Sequence, residues 1–282
     1  DIPEGVTKIG LSCFDNCSNI TSIVIPEGVT ILGYSCFGSC SVLTSIDIPD
    51  GVTTIDAYCF NGCIALTSIV IPEGVITIGS SCFAKCISLT EIAIPKTITK
   101  LNSYCFDGCS KLTNIVIPNE ITIIGDHCFN RCVSLTKIVI PEGVASLGSF
   151  CFDHCTKLEK IVIPKTVTNL YSYCFNACSK LTNIVIPEGI TIFVKGCFSD
   201  CSALTEIVIP NAVTSIGNYC FSGCSNLPSI VIPEGVTELG SSCFSNCLSL
   251  ASITVNRNSP ISVYSEVFCA LISSWMRSQI SA

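Results

Sequence analysis

Apolar and polar positions alternate in Leu43-Thr-Ser-Ile-Asp-Ile-Pro49, the period-2 pattern of a short strand with one buried face. Pro49 closes that strand because it has no N–H to give to the next ladder bond. Val52 and Ile55 follow, and then Cys59-Phe60-x-x-Cys63, which has room for a helical or 3-10 turn but not for a helix. The unit then starts again. Proline recurs from Pro3 through Pro118 to Pro233 at a step of 23 residues, and Cys-Phe recurs at the same step from Cys13-Phe14 to Cys243-Phe244. Eleven copies run in phase without an insertion.

A unit this short cannot bury its own apolar side chains, so the copies must stack and cover one another. Stacking turns each position of the unit into a column. The core columns are those of Leu43, Ile46, Ile48, Val52, Ile55, Cys59, Phe60 and Cys63. Eleven of the 14 phenylalanines fall into one of them, from Phe14 to Phe244, and predict a stacked spine. Another column holds Gly33, Gly79, Gly125, Gly148, Gly217 and Gly240, with Gly10, Asp56 and Asn102, which predicts a turn of positive φ. Tyr171 and Val194 interrupt it. The column before Cys-Phe carries Tyr58, Tyr104, His127, Phe150, Tyr173 and Tyr219, rings expected to shield the turn, with a convex binding strip as the alternative. The array is expected to fill residues 1–255. Residues 256–282, where Asn256 replaces proline and Trp275-Met276 first appear, read as a C-terminal cap whose Leu271–Ile280 segment suits a short amphipathic helix. Asp1-Ile2 resembles the end of a strand, so the first rung is expected to be covered by upstream residues or by another chain.

The repeated unit, L-x-x-I-x-I-P-x-x-V-x-x-I-G-x-x-C-F-x-x-C, resembles the leucine-rich repeat of the BspA-like, or treponemal, type over residues 1 to about 255. That family commonly has Ala before Phe, whereas every copy here has Cys, as in Cys36-Phe37 and Cys105-Phe106. The resemblance implies a leucine-rich-repeat solenoid, a right-handed curved coil with a parallel β-sheet on the concave face and short turns or 3-10 segments on the convex face. Such repeats are similar to those of surface proteins of oral bacteria and anaerobic protists, where binding and adhesion are the usual assignments. It therefore implies a protein-binding role at a cell surface.

Composition narrows the chemistry. Net charge is −7, from 14 basic and 21 acidic residues, without the basic excess of a nucleic-acid binder. Two His, and no nucleophile spaced to use them, give no basis for an enzyme, and no cofactor is expected. His154 beside Asp153 reads as a surface coincidence in an exposed turn, and the sequons at Asn16 and Asn19 as chance. No apolar run approaches the roughly 20 residues of a membrane span, so no membrane insertion is expected. The N-terminal residues lack the pattern of a signal peptide, and many cysteines lack an evident partner, which favours an intracellular scaffold as the alternative to the cell surface.

Of the 23 cysteines, 22 form two ladders at C-x3-C spacing. Three readings stay open: small buried hydrophobes beside the Phe spine, disulfides within or between units, and metal ligands. Cys269 lies outside both ladders and is the one expected to be exposed.

The residue between the two core Ile of each strand points away from the core, onto the face expected to be concave. That column becomes an unbroken stripe of Val116, Val139, Val162, Val185, Val208 and Val231, flanked by Asn114, Lys137, Lys160, Asn183 and Glu206. An exposed apolar stripe of this length marks an interaction site, while plain β propensity is the bland account. These eleven residues are the candidate contacts for a protein partner or a second copy. After the proline, Glu4, Glu27, Asp50 and Glu73 make an acidic ridge along the N-terminal third.

Overall fold

The computed structural model describes residues 2–255 and the backbone of Ser262–Val263. The expected cap and Cys269 fall outside the described residues. Each unit makes one turn of a coil, and main-chain hydrogen bonds tie it to the units before and after. The Ile-x-Ile segments pair in parallel where they are regular: Lys137–Val139 with Lys160–Val162, Asn183–Ile184 with Glu206–Ile207, and Ser229–Ile232 with Ser252–Val255. Towards the N-terminus the same column narrows to single bridges, Val24 to Asp47 and Ala93 to Val116. The proline at the end of each segment confines the pairing to these few residues.

A second parallel ladder, unexpected from the sequence, runs through the Val-x-x-Ile-Gly segments. Its two-residue strands pair in register, as in Lys8↔Ile31, Thr54↔Thr77 and Ser146↔Asn169. The inner residue of each, such as Leu32, Ile55 or Leu147, is buried, and the outer one is exposed or half-exposed. The turns on the remaining side are also bonded from unit to unit. The Phe14 N–H donates to Cys36 O at 2.8 Å and the Phe37 N–H to Cys59 O at 2.9 Å, and the pattern continues to Phe221 and Cys243. The coil is thus stitched on all its sides.

Between these stitches the turn closes on single i-to-i+3 bonds, such as Cys17 N–H to Phe14 O at 3.1 Å, with no helical or 3-10 segment among the described residues. Two residues per turn are left-handed: the one before Cys-Phe (Tyr58 at φ 59°, His127 at 54°, Phe150 at 56°) and the one before the second Cys (Lys85 at 61°, Arg131 at 56°). The expected site of positive φ was the Gly33 column, and it is not there. Those glycines are required for another reason. A Cβ on Gly148 would lie 2.5 Å from Asp126 N, and one on Gly125 2.6 Å from Ser103 N. The column is glycine where one rung passes hard against the backbone of the rung before it.

The core is continuous from Ile9 to Ile253. The Phe spine stacks as expected, with centroids 5.4 Å apart for Phe14–Phe37 and 5.7 Å for Phe221–Phe244, and rings within 9° of parallel. Phe193 replaces the Leu or Ile of its column and meets Phe198 edge-on at 5.4 Å. At the first rung Phe14 is only half-buried, beside a cavity of about 460 Å³ lined by Ile2, Val6, Ile20 and Ile23.

Candidate interaction face

In the Ile-x-Ile segments the two isoleucines turn inward and the residue between them turns out, so the valine stripe stands in solvent. Val162 is 44% exposed and Val185 80%, and Val116, Val139, Val208 and Val231 lie between these limits. Val24 and Val70 extend the stripe, with Asp47 and Ala93 interrupting it. The flanking residues Asn114, Lys137, Lys160, Asn183 and Glu206 are all exposed on the same side of the strands. All eleven candidate residues therefore share one face.

The electrostatics of that face change along the coil. Lys137 and Lys160 are register partners on neighbouring rungs, a like-charge contact that costs free energy in isolation. Near the N-terminus, Glu27, Asp47 and Asp50 line a groove of about 360 Å³ with Val24. Among the described residues the only side-chain ion pair is that of His154 with Asp153, so no charge of this face is in an ion pair there. Behind the stripe, Thr67 Oγ1 donates to Thr44 O at 3.3 Å and Thr113 Oγ1 to Thr90 O at 3.4 Å, a hydroxyl ladder that reinforces the main-chain bonds.

From Cys36 onward the cysteine ladders lie in the core and are chemically quiet, whereas Cys13 of the first unit is exposed. All 22 are free thiols, and all from Cys36 onward are buried. The two columns do different things. In the second, each thiol donates to the carbonyl of the Phe 26 residues earlier: Cys63 to Phe37 O at 3.1 Å, Cys132 to Phe106 O at 3.3 Å, Cys201 to Phe175 O at 3.1 Å. In the first, the Cys36 and Cys59 sulfurs meet at 3.4 Å. Burial pushes the thiols up, Cys63, Cys105 and Cys201 to about 12. Metal binding and nucleophilic attack both need the thiolate, which this core suppresses. No group of three or more metal-ligating side chains is gathered among the described residues. Of the three readings, the buried hydrophobe holds, with a hydrogen-bond donor added to it.

On the turn side, Tyr104, His127, Phe150 and Tyr173 stack at 4.5 to 4.9 Å. Tyr173 lies over Gly196, where a side chain would collide with the ring. Asp153 is not exposed as expected. It is buried, held by Asn176 Nδ2 at 2.7 Å and by the exposed His154 Nδ1 at 2.7 Å. The pair Asn130 Nδ2 to Asp107 Oδ1, also 2.7 Å, repeats the Asn–Asp contact.

Residues 1–113, 99–211 and 191–276 match the BspA type leucine rich repeat region. The chain belongs to the BspA-type leucine-rich-repeat family. Solved structures agree. A leucine-rich repeat protein from Bacteroides ovatus is 30% identical, with TM-score 0.65 over 92% of this chain and 78% of that one. A leucine rich cell surface protein from Faecalibacterium prausnitzii is 28% identical, with TM-score 0.57 over 90% of this chain and 84% of that one. The leucine rich repeat protein of T. pallidum is 26% identical, with TM-score 0.52 over 65% of this chain and 77% of that one. No curated protein matches the chain. Among the described residues the face is carried on strands, and no helix is long and apolar enough to cross a membrane.

Proposed function

We propose that this chain is a non-enzymatic protein-binding solenoid that works in adhesion at a cell surface, with the valine stripe Val116–Val231 and its polar flank as the contact. The observation that carries the reading is six consecutive rungs of exposed valine on a face whose charges form no ion pair among the described residues. An apolar stripe of this length in water is a standing invitation to a partner. Likeness to a leucine rich cell surface protein, at 28% identity, supports the location.

The test of the face is the triple variant Val139→Lys, Val162→Lys and Val185→Lys, with circular dichroism as the check on folding. Partner capture by source cells should be lost while the fold survives; full capture by a folded variant refutes the face. Antibody staining of source cells before and after permeabilisation tests the location. Signal on intact cells supports adhesion. Signal only after permeabilisation replaces it with an intracellular scaffold using the same face.

A further inference from the structure

We propose that the partner of this face is a second copy of the chain, packed face to face and antiparallel about a two-fold axis through the Val116 rung. This rests on the reading of the stripe given above and names its occupant.

A two-fold axis parallel to the strands reverses the order of the rungs but keeps each column opposite itself. With the axis at Val116, the rungs one unit to either side face each other, as do those two units away. In the stripe, Val116 meets Val116, Ala93 meets Val139 and Val70 meets Val162. The flanking column then sets Glu91 against Lys137, and the column after the proline sets Glu73 against Lys165 and Lys96 against Glu142. All six are exposed. Symmetry doubles each pair. Two pairings three units out are unfavourable, Asp50 against Glu188 and Asp47 against Val185, and Glu4 faces Glu234 further out; all lie towards the rim, where salt screens the like charges.

Neighbouring registers lose this match. Moving the axis half a unit either way brings Glu73 opposite Glu142 or Glu188. The counter-charge also answers the like-charge contact of Lys137 and Lys160 on adjacent rungs. Rungs at ~4.8 Å give the contact a length of about 30 Å.

The experiment is sedimentation of the whole chain at micromolar concentration, with folding checked by circular dichroism. The wild-type chain should be dimeric. Glu91→Lys and Lys137→Glu should each weaken the dimer roughly tenfold or more, because like charges then oppose each other twice. The double variant E91K/K137E has the original net charge and should return to wild-type affinity. A monomeric wild-type chain, or a double variant no better than the single ones, overturns the proposal. If the wild-type chain is monomeric while V139K/V162K/V185K still abolishes capture by source cells, the second copy is wrong and the interaction face stands.

Discussion

The Sγ of Cys63 donates to the main-chain carbonyl of Phe37 at 3.1 Å, and ten units repeat this thiol-to-carbonyl bond from Cys40 to Cys247. The Phe carbonyl also accepts the N–H of the second Cys of its own unit, as from Cys109 to Phe106 at 3.1 Å, so the thiol from the following unit is its second donor. Cys132→Ala removes the thiol donor while Phe106 O keeps the Cys109 N–H, so the variant should lose ~0.5–1.5 kcal/mol beyond the loss shared by any buried Cys→Ala change. Cys128→Ala, in the first column, removes no carbonyl bond and should cost less than ~1 kcal/mol. Urea midpoints of the two variants at equal m-value check the difference.

Every ladder thiol from Cys59 to Cys243 is held protonated by burial. Unfolded thiols ionise near 9, and Cys63 and Cys105 only near about 12 when folded. Above pH 9 the unfolded chain releases protons that the folded chain keeps, so the stabilisation present at lower pH drains away as pH rises towards 12. Each thiol contributes a slope of ~1.4 kcal/mol per pH unit in that window. Urea midpoints should be flat below about pH 8 and fall steeply above 9. Replacing Cys105, Cys128 and Cys151 together by Ala should make the fall shallower. An unchanged slope in that variant would show that other groups govern alkaline unfolding.

The strands, the Phe spine and the outward valines were legible because an apolar residue at a fixed step can only mean a stacked core. The second ladder was not. Its rungs are two residues long, and their outer positions vary from Lys8 and Ile31 to Thr54 and Asn169, so no alternation marks them. The left-handed residues were hidden for the opposite reason. They are Tyr104, His127, Phe150 or Arg131, side chains that normally avoid positive φ, and they accept it because bonds to the next unit over-determine the turn. The glycine column, which invited a φ argument, answers to close approach.

That distinction predicts opposite outcomes for two substitutions. Gly148→Ala puts a methyl group 2.5 Å from main-chain atoms of Gly125 and Asp126, which cannot move without breaking the Ile-Gly ladder. A loss of roughly 2 kcal/mol or more is expected, in the range of overpacking. Lys85→Gly, at φ 61° in an exposed turn where Gly62 and Gly108 hold the same column, relieves strain and should leave stability unchanged or raise it by up to ~1 kcal/mol. Thermal midpoints of the two variants decide the matter; equal losses would restore φ as the reason for the glycines.

Position along the coil should govern the effect of a lesion in the spine. Phe129 is fully buried between Phe106, at 5.6 Å, and Phe152, at 5.4 Å, so Phe129→Ala opens a cavity that both neighbouring units share. A cost of ~3–5 kcal/mol is expected. Phe14 is half-buried at the first rung with a ring on one side only, and Phe14→Ala should cost clearly less. In a stack where each unit touches only its neighbours, the central lesion weakens two interfaces at once and can uncouple the halves of the array. Hydrogen exchange followed unit by unit should then show protection falling outward from Phe129 in that variant, and fraying confined to the first units for Phe14→Ala. Uniform loss of protection in both variants would mean that the array unfolds as one body and that nearest-neighbour coupling does not describe it.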